Sequence, residues 1–477
     1  MTLRDWSPLL PFAILTAAPV AIMILAAIRR SHGAAFSLAL GAIGLALLAI
    51  PAAAFFPFGP GAPLLLLDGY ALFFMALILL AGLATLLLAY GYLRIRRGNR
   101  EEFYILILTA LLGASILVGS AHLASFFLGL EILSVSLYAL IAYERANEAG
   151  IAAGIKYLIL AAFSSAFLIF GMALVYAETG TLLFSRLAAT MTWGGTSPVL
   201  LAGIILIAAG IGFKLAVVPF HMWVADVYEG APAPVTAFIA TVSKGAVFAL
   251  LLRFFPPVEI VRGDAPAVFL AAIAVASMLV GNLLALFQEN VKRLFAYSSI
   301  AHMGYLLVAF LAGGPLRVTA VVFTLTAYFI SILGAFGVVT VLSGPQRDAD
   351  RLEDYRGLFF RRPWLAGAFT AMLLSLAGIP LTAGFIGKFT ILAAGVGDFL
   401  WILVGTLVGT SALGLFYYLR VLVALYTPPE TEAREGVAAA RTPAGALALA
   451  ILTALLLGLG VFPGPLLKAI SALGSLG

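Results

Sequence analysis

Long apolar runs separated by short polar stretches set the pattern of this chain. Runs long enough to cross a hydrocarbon core as helix, about 20 mostly apolar residues each, recur about fourteen times. They predict helices at residues 9–28, 34–56, 70–92, 103–119, 123–143, 155–177 and 198–228. The remaining ones fall at residues 233–254, 267–287, 294–311, 318–343, 364–394, 400–426 and 444–461. The segments between are short. The longest, residues 344–363 with mixed charge and residues 427–443, carry too little apolar sequence to fold alone, so one membrane domain is expected.

Two of these helices hold a proline in mid-run: Pro219 in the seventh, and Pro380 in the twelfth within the Gly-Ile-Pro-Leu-Thr-Ala-Gly stretch of residues 378–384. Proline deletes a helix hydrogen bond and leaves the carbonyl four residues earlier, here of Leu215 and Leu376, without its partner. At membrane depth such breaks persist only where protein or a wet cavity satisfies the freed groups. Paired broken helices in corresponding places predict inverted repeats around a polar site near the midplane. The expected fold is therefore an all-α integral membrane protein of about 14 transmembrane helices. Residues 1–100 supply three N-terminal helices, 101–255 a first five-helix repeat (helices 4–8), 264–426 a second (helices 9–13), and 443–465 a last helix.

Composition points the same way. The 477 residues are 63% hydrophobic and 10% charged, with a mean hydropathy of +1.14, against roughly 25% charged in soluble domains. The net charge of +6 does not signal nucleic acid, because the arginines cluster in the short segments. One side of the alternating segments holds Arg29, Arg30, Arg94, Arg96, Arg97, Arg100, Arg145, Lys292, Arg293, Arg347, Arg351, Arg356, Arg361, Arg362, Arg434 and Arg441. The other holds Arg4, Arg186, Arg262, Arg317 and Lys468, with Arg253 set aside at a helix end. The excess places the first side in the cytoplasm and both termini outside. Arg29 and Arg30 follow the first apolar run rather than precede it, so that run reads as a retained span, not a cleavable signal.

Cysteine is absent, which excludes disulfides, thiolate zinc sites and cysteine-ligated iron–sulfur clusters in this chain. His32, His122, His221 and His302 are scattered, and no glycine-rich nucleotide loop occurs. No cofactor or metal is expected here, and any redox step belongs to a partner.

The informative residues are charges inside apolar helices. Of six lysines, Lys214, Lys244 and Lys388 lie deep in predicted spans, as does Glu131. Lys244 is about ten residues, or roughly 15 Å, from either end of its helix, too far for its stem to reach water. Each such charge costs about 2.5–3.5 kcal/mol on insertion scales. Either Glu131 and one lysine form a structural ion pair, or the four residues line a proton or ion path. One pair leaves two lysines unexplained and is a poor stabiliser in any case. His221, just past Pro219, and His302 are candidate relays or simply hydrogen-bonded histidines. Lys156, near the end of the sixth helix, either snorkels or relays. Asp226 and Glu229 cap the second half of the seventh helix and read as loop carboxylates at a cytoplasmic mouth, and Lys292 and Arg293 as orientation charges.

These residues sit in long ordered motifs. Gly212-Phe213-Lys214-Leu215-Ala216-Val217-Val218-Pro219-Phe220-His221-Met222-Trp223, then residues 226–238 and the Ser243-Lys244 pair, resemble the broken seventh and following eighth helix of the antiporter-like subunits of respiratory complex I. Residues 291–305, with Lys292, Arg293 and His302, and residues 376–389, with Pro380 and Lys388, resemble that family too. The wording is closest to its N type: the M type carries glutamate where Lys388 stands, and no lateral helix of the L type follows Val461. The resemblance implies a proton axis of Glu131, Lys214, Lys244 and Lys388, in a bacterial inner (plasma) membrane. It implies neighbouring antiporter-like membrane subunits as partners and, through them, a peripheral arm bearing flavin and iron–sulfur clusters, with quinone reduction elsewhere driving the protons. A stand-alone or multisubunit cation/proton antiporter and a non-pumping docking subunit are the competing expectations.

Overall fold

The computed structural model describes residues 7–55, 64–96, 98–190, 197–255, 265–428 and 443–473. Arg4, Arg97, Arg262, Arg434 and Arg441 of the charge count, and most of the 427–443 segment, lie outside the described residues.

The expected helices form. They are α1 (Leu10–Ile28), α2 (His32–Phe55), α3 (Gly69–Ile95), α4 (Glu101–Val118), α5 (Leu123–Ile141), α6 (Glu148–Thr179) and a broken α7, of which α7a is Pro198–Leu215 and α7b Val224–Gly230. Helix α8 runs as α8a (Ala233–Phe238), a π-helical turn (Ile239–Ser243) and α8b (Lys244–Phe254). Then come α9 (Ala265–Leu286), α10 (Val291–Leu311), α11 (Leu316–Leu342), a broken α12 with halves α12a (Pro363–Ala377) and α12b (Ala383–Gly397), α13 (Trp401–Tyr426) and α14 (Pro443–Val461). Among the described residues 13 helices could cross a membrane by length and composition, and the two halves of α12 are shorter apolar helices. The chain is a multi-pass membrane protein.

Helix ends depart from the apolar reading where a polar side chain caps a turn. Helix α6 starts at Glu148, not near residue 155, because Asn147 accepts from the Gly150 amide at 3.2 Å. Helix α10 starts at Val291 because Asn290 accepts from the amides of Lys292 and Arg293, at 2.9 and 3.1 Å.

Three helices lie most deeply in the core. In α8 the membrane-length window is 100% buried and in α10 and α11 94%, against 28% in α1, α2 and α14, so lipid or partners face the latter. Close approach of neighbours relies on glycine. A Cβ at Gly113 of α4 would lie 2.5 Å from the Leu133 amide of α5, and one at Gly281 of α9 would lie 2.6 Å from the Ala301 amide of α10.

Both breaks are satisfied from within the protein. At the end of α7a, Ala216 turns left-handed (φ 58°), Trp223 Nε1 donates to Phe213 O at 3.0 Å, and the Val218 amide donates to Ser277 Oγ at 3.0 Å. In α12, Gly378 supplies the positive φ of 85° that ends α12a, and the Gly384 amide donates to Ser375 Oγ at 3.0 Å. Pro219 and Pro380 both lie in the non-helical links.

Candidate functional site

Lys214 is the last residue but one of α7a and is 2% exposed. Its ammonium donates to Ser134 Oγ of α5 at 2.7 Å and stands 3.4 Å from the Tyr157 hydroxyl of α6, over whose ring it lies at 5.2 Å. Ser134 in turn donates to Leu130 O, one turn back. Glu131, three residues before Ser134 and so on the same side of α5, accepts from Ser165 of α6 at 2.6 Å. No ion pair joins Glu131 to a lysine among the described residues.

Lys244 opens α8b directly after the π turn and is 1% exposed. Its ammonium donates to Ser299 Oγ of α10 at 2.7 Å and lies 5.6 Å from the Tyr228 ring centre. Lys388, part-buried on α12b, donates at 2.8 Å to Ala377 O, a carbonyl freed where α12a stops, and lies 5.2 Å from the Tyr305 ring centre. The lysine thus serves the break beside which the sequence puts it.

His302 lies on α10 one turn from Ser299, the acceptor of Lys244, and one turn from Tyr305, beside which Lys388 lies. Its ring is in edge contact with Tyr305 at 5.4 Å and tilted against Tyr328 at 5.2 Å, and Nε2 lies 3.5 Å from the Tyr418 hydroxyl of α13. That hydroxyl shares a short hydrogen bond with Ser298. Tyr305, Asn282 and Tyr417 continue the polar track, with Asn282 bonded to both hydroxyls at 2.9 and 3.1 Å. His221 is elsewhere: it lies part-buried in the α7 link with Nδ1 unpartnered, and none of the three lysines donates a hydrogen bond to it.

Lys156 is ion-paired to Asp226, with both side chains 40% exposed. Arg293 bridges Asp226 and Glu229 at 2.9 and 2.7 Å. Both carboxylates stand on α7b, the second half of the seventh helix, rather than in a loop beyond it. Lys292 is not a surface orientation charge: it is 2% exposed and ion-paired to Asp348 at 2.7 Å. The early start of α10 draws it inward, since capping by Asn290 places it in the first helical turn. Asp348 also accepts from Arg96 at 2.7 Å and Tyr92 at 2.8 Å, and Arg96 reaches Glu144 at 2.6 Å. Burial pushes the Asp348 carboxyl up, but Lys292 and Arg96 outweigh it and hold the group below the usual carboxylate range. Burial raises Glu144, with Arg96 opposing.

The partners of the lysines, Ser134, Ser299, Tyr157 and Tyr305, were not read from the sequence, nor was Ser165, the partner of Glu131. The available signal was helical spacing: Ser134 falls three residues after Glu131, and Ser299 and Tyr305 each three from His302. No group of three or more histidine and carboxylate side chains that could hold a metal occurs among the described residues.

The transmembrane family described as NADH:quinone oxidoreductase/Mrp antiporter matches residues 120–414, more than half of the chain. The NADH-quinone oxidoreductase subunit N of Methylococcus capsulatus is 49% identical over 473 residues, which cover 98% of this chain and 95% of that one. The subunit N of Ectopseudomonas mendocina is 48% identical over 471 residues, covering 97% and 95%. A chain of the solved respiratory complex I of Thermus thermophilus is 36% identical, with a TM-score of 0.82 and coverage of 97% of this chain and 100% of that one. The chain belongs to the NADH:quinone oxidoreductase/Mrp antiporter transmembrane family, among its antiporter-like subunits of the N type.

Proposed function

We propose that this chain carries protons across the membrane along Glu131, Lys214, Lys244 and Lys388, driven by quinone reduction in partner subunits. The observation that carries the reading is the kind of partner each lysine has. Three lysines at membrane depth donate to neutral oxygens, Ser134 Oγ, Ser299 Oγ and Ala377 O, and none pairs with a carboxylate among the described residues. A structural role would call for a fixed counter-charge. A neutral acceptor takes a hydrogen bond from an ammonium and, once the proton has left, from the amine as well. Each lysine can therefore change protonation without losing its anchor.

In this reading Glu131 biases Lys214 toward the charged form, and charge on Lys214 disfavours charge on Lys244, so the sites titrate as a coupled set. His302, with Tyr418 and Ser298, relays between Lys244 and Lys388. Lys156 with Asp226 forms the cytoplasmic mouth, and His221 is a relay in the α7 link. The matching glycine contacts of α4 with α5 and of α9 with α10 support two equivalent five-helix units. The membrane is the bacterial inner membrane, with both termini periplasmic. Neighbouring antiporter-like subunits and a peripheral arm with flavin, iron–sulfur clusters and quinone supply the redox chemistry, for which this chain has no cysteine ligands. Moving one charge against 100 mV costs about 2.3 kcal/mol, which that arm must provide.

The test is proton pumping by membrane vesicles containing the assembled complex with Glu131→Ala or Lys214→Ala. The reading expects pumping to collapse while the amount of complex is kept. Full pumping in either variant would refute the assignment.

A further inference from the structure

The link between α7b and α8a is two residues long, Ala231 and Pro232, and joins the helix of Lys214 to the helix of Lys244. At this elbow α7b leaves carbonyls without helical partners and α8a leaves amides. One buried ion pair serves both. Lys292 Nζ donates to Ala231 O at 2.7 Å, Asp348 Oδ2 accepts from the Ala233 amide at 3.0 Å, and the two charges meet at 2.7 Å. The carboxylate thus stands at a helix start and the ammonium at a helix end, each with the sign the peptide dipoles favour. The other oxygen of Asp348 accepts from Arg96 at 2.7 Å and Tyr92 at 2.8 Å, so α3 and the segment before α12a grip the same point.

The clasp also sets a register. Lys292 and Ser299 are seven residues apart on α10, while Ala233 and Lys244 are eleven apart on α8. At 1.5 Å per residue these spans differ by about 6 Å, the reach of a lysine stem directed back toward its helix N-terminus. The same two helices are therefore tied twice, once by Lys292–Asp348–Ala233 and once by Lys244–Ser299. Between the two ties α8 contains the π turn Ile239–Ser243, a rare form of helix that is frequent at functional sites.

We infer that Asp348 and Lys292 are positioning residues for Lys244: their ion pair locks the α7b–α8a elbow against α10 and so keeps Lys244 on Ser299. The inference rests on the reading that Lys244 carries protons. Without the clasp α8 slides along α10, and Lys244 loses its anchor while Lys214 keeps its own.

The experiment compares intact complexes carrying Asp348→Asn, Asp348→Glu, the double variant Asp348→Asn/Lys292→Met, and Lys244→Ala. Complex content is counted by electron transfer from the peripheral arm to an artificial acceptor, and pumping is expressed per complex. The double variant is uncharged and close in volume, so it avoids leaving a buried charge unpaired and keeps the test open if a single variant fails to assemble. Pumping per complex should fall by roughly tenfold or more in Asp348→Asn and in the double variant, since a misplacement of about 1 Å can cost about a hundredfold. Asp348→Glu should recover part of it. A clasp that is merely structural lowers the amount of complex and leaves pumping per complex unchanged, and that result overturns the inference. If Lys244→Ala abolishes pumping and the double variant pumps normally, only the clasp is wrong; if Lys244→Ala pumps normally, the proton-path reading of Lys244 falls and takes the clasp's role with it.

Discussion

Lys214 and Ser134 are joined by a 2.7 Å hydrogen bond between α7a and α5, with Glu131 one turn from the serine. This contact ties the stub of a broken helix to the helix that carries the one carboxylate of the proposed path. It gives the ammonium an acceptor in a setting where desolvation disfavours any charge.

Ser134→Ala should therefore disable the path without touching an ionisable residue. A hydrogen bond to a charged group contributes about 1.5–3 kcal/mol, so protonated Lys214 should become roughly tenfold or more rarer. Proton pumping followed with a pH-sensitive dye should drop accordingly, with the complex still assembled. Unaltered pumping would mean that Lys214 is anchored through Tyr157 instead.

Gly384→Ala should damage α12. A Cβ there would lie 1.8 Å from Ser375 O, across the break, and the Gly384 amide would be pulled off Ser375 Oγ. Overpacking of this kind costs about 1–3 kcal/mol or more. The thermal midpoint of the purified complex should fall, whereas Gly409→Ala, with open space around its Cβ position, serves as the neutral control.

Acid should weaken the elbow in a way that depends on Asp348. Its folded-state pKa lies below the ordinary value of 3.8, so the stability it contributes is fully present above pH 3.8 and is lost as the pH falls through the depressed value. Glu144 and Asp350, both raised chiefly by burial, contribute with the opposite sign. In melts between about pH 6 and pH 3, Asp348→Asn should start less stable and lose less on acidification. Parallel curves for the two proteins would show that folding does not lower the Asp348 pKa.

Much of this protein is legible from pattern alone, because the bilayer imposes one rule on every span: a run long enough to cross must be helical and apolar. Helix number, the two breaks and the four ionisable residues follow from that rule and from the cost of violating it. Helix ends were less legible. Asn147 and Asn290 extend α6 and α10 past their apolar limits through side-chain caps. Lys292 shows the consequence: in sequence it is one of a basic pair after a helix, and in space it is buried at an elbow more than fifty residues away along the chain from both its partners.

The sequence by itself determined which charges are misplaced in a membrane and therefore demand a role. Only the tertiary structure decided what each one touches. A serine hydroxyl costs little to bury when it bonds its own helix, as Ser134 and Ser299 do, so neither carries a warning in one dimension. Whether such a hydroxyl anchors a lysine depends on which helix packs beside it, and glycine contacts such as Gly113 with Leu133 set that packing. The ion pair of Lys292 with Asp348 is likewise a product of folding. It requires α10, the segment before α12a and the start of α8 to meet at one point, and no local spacing records that meeting.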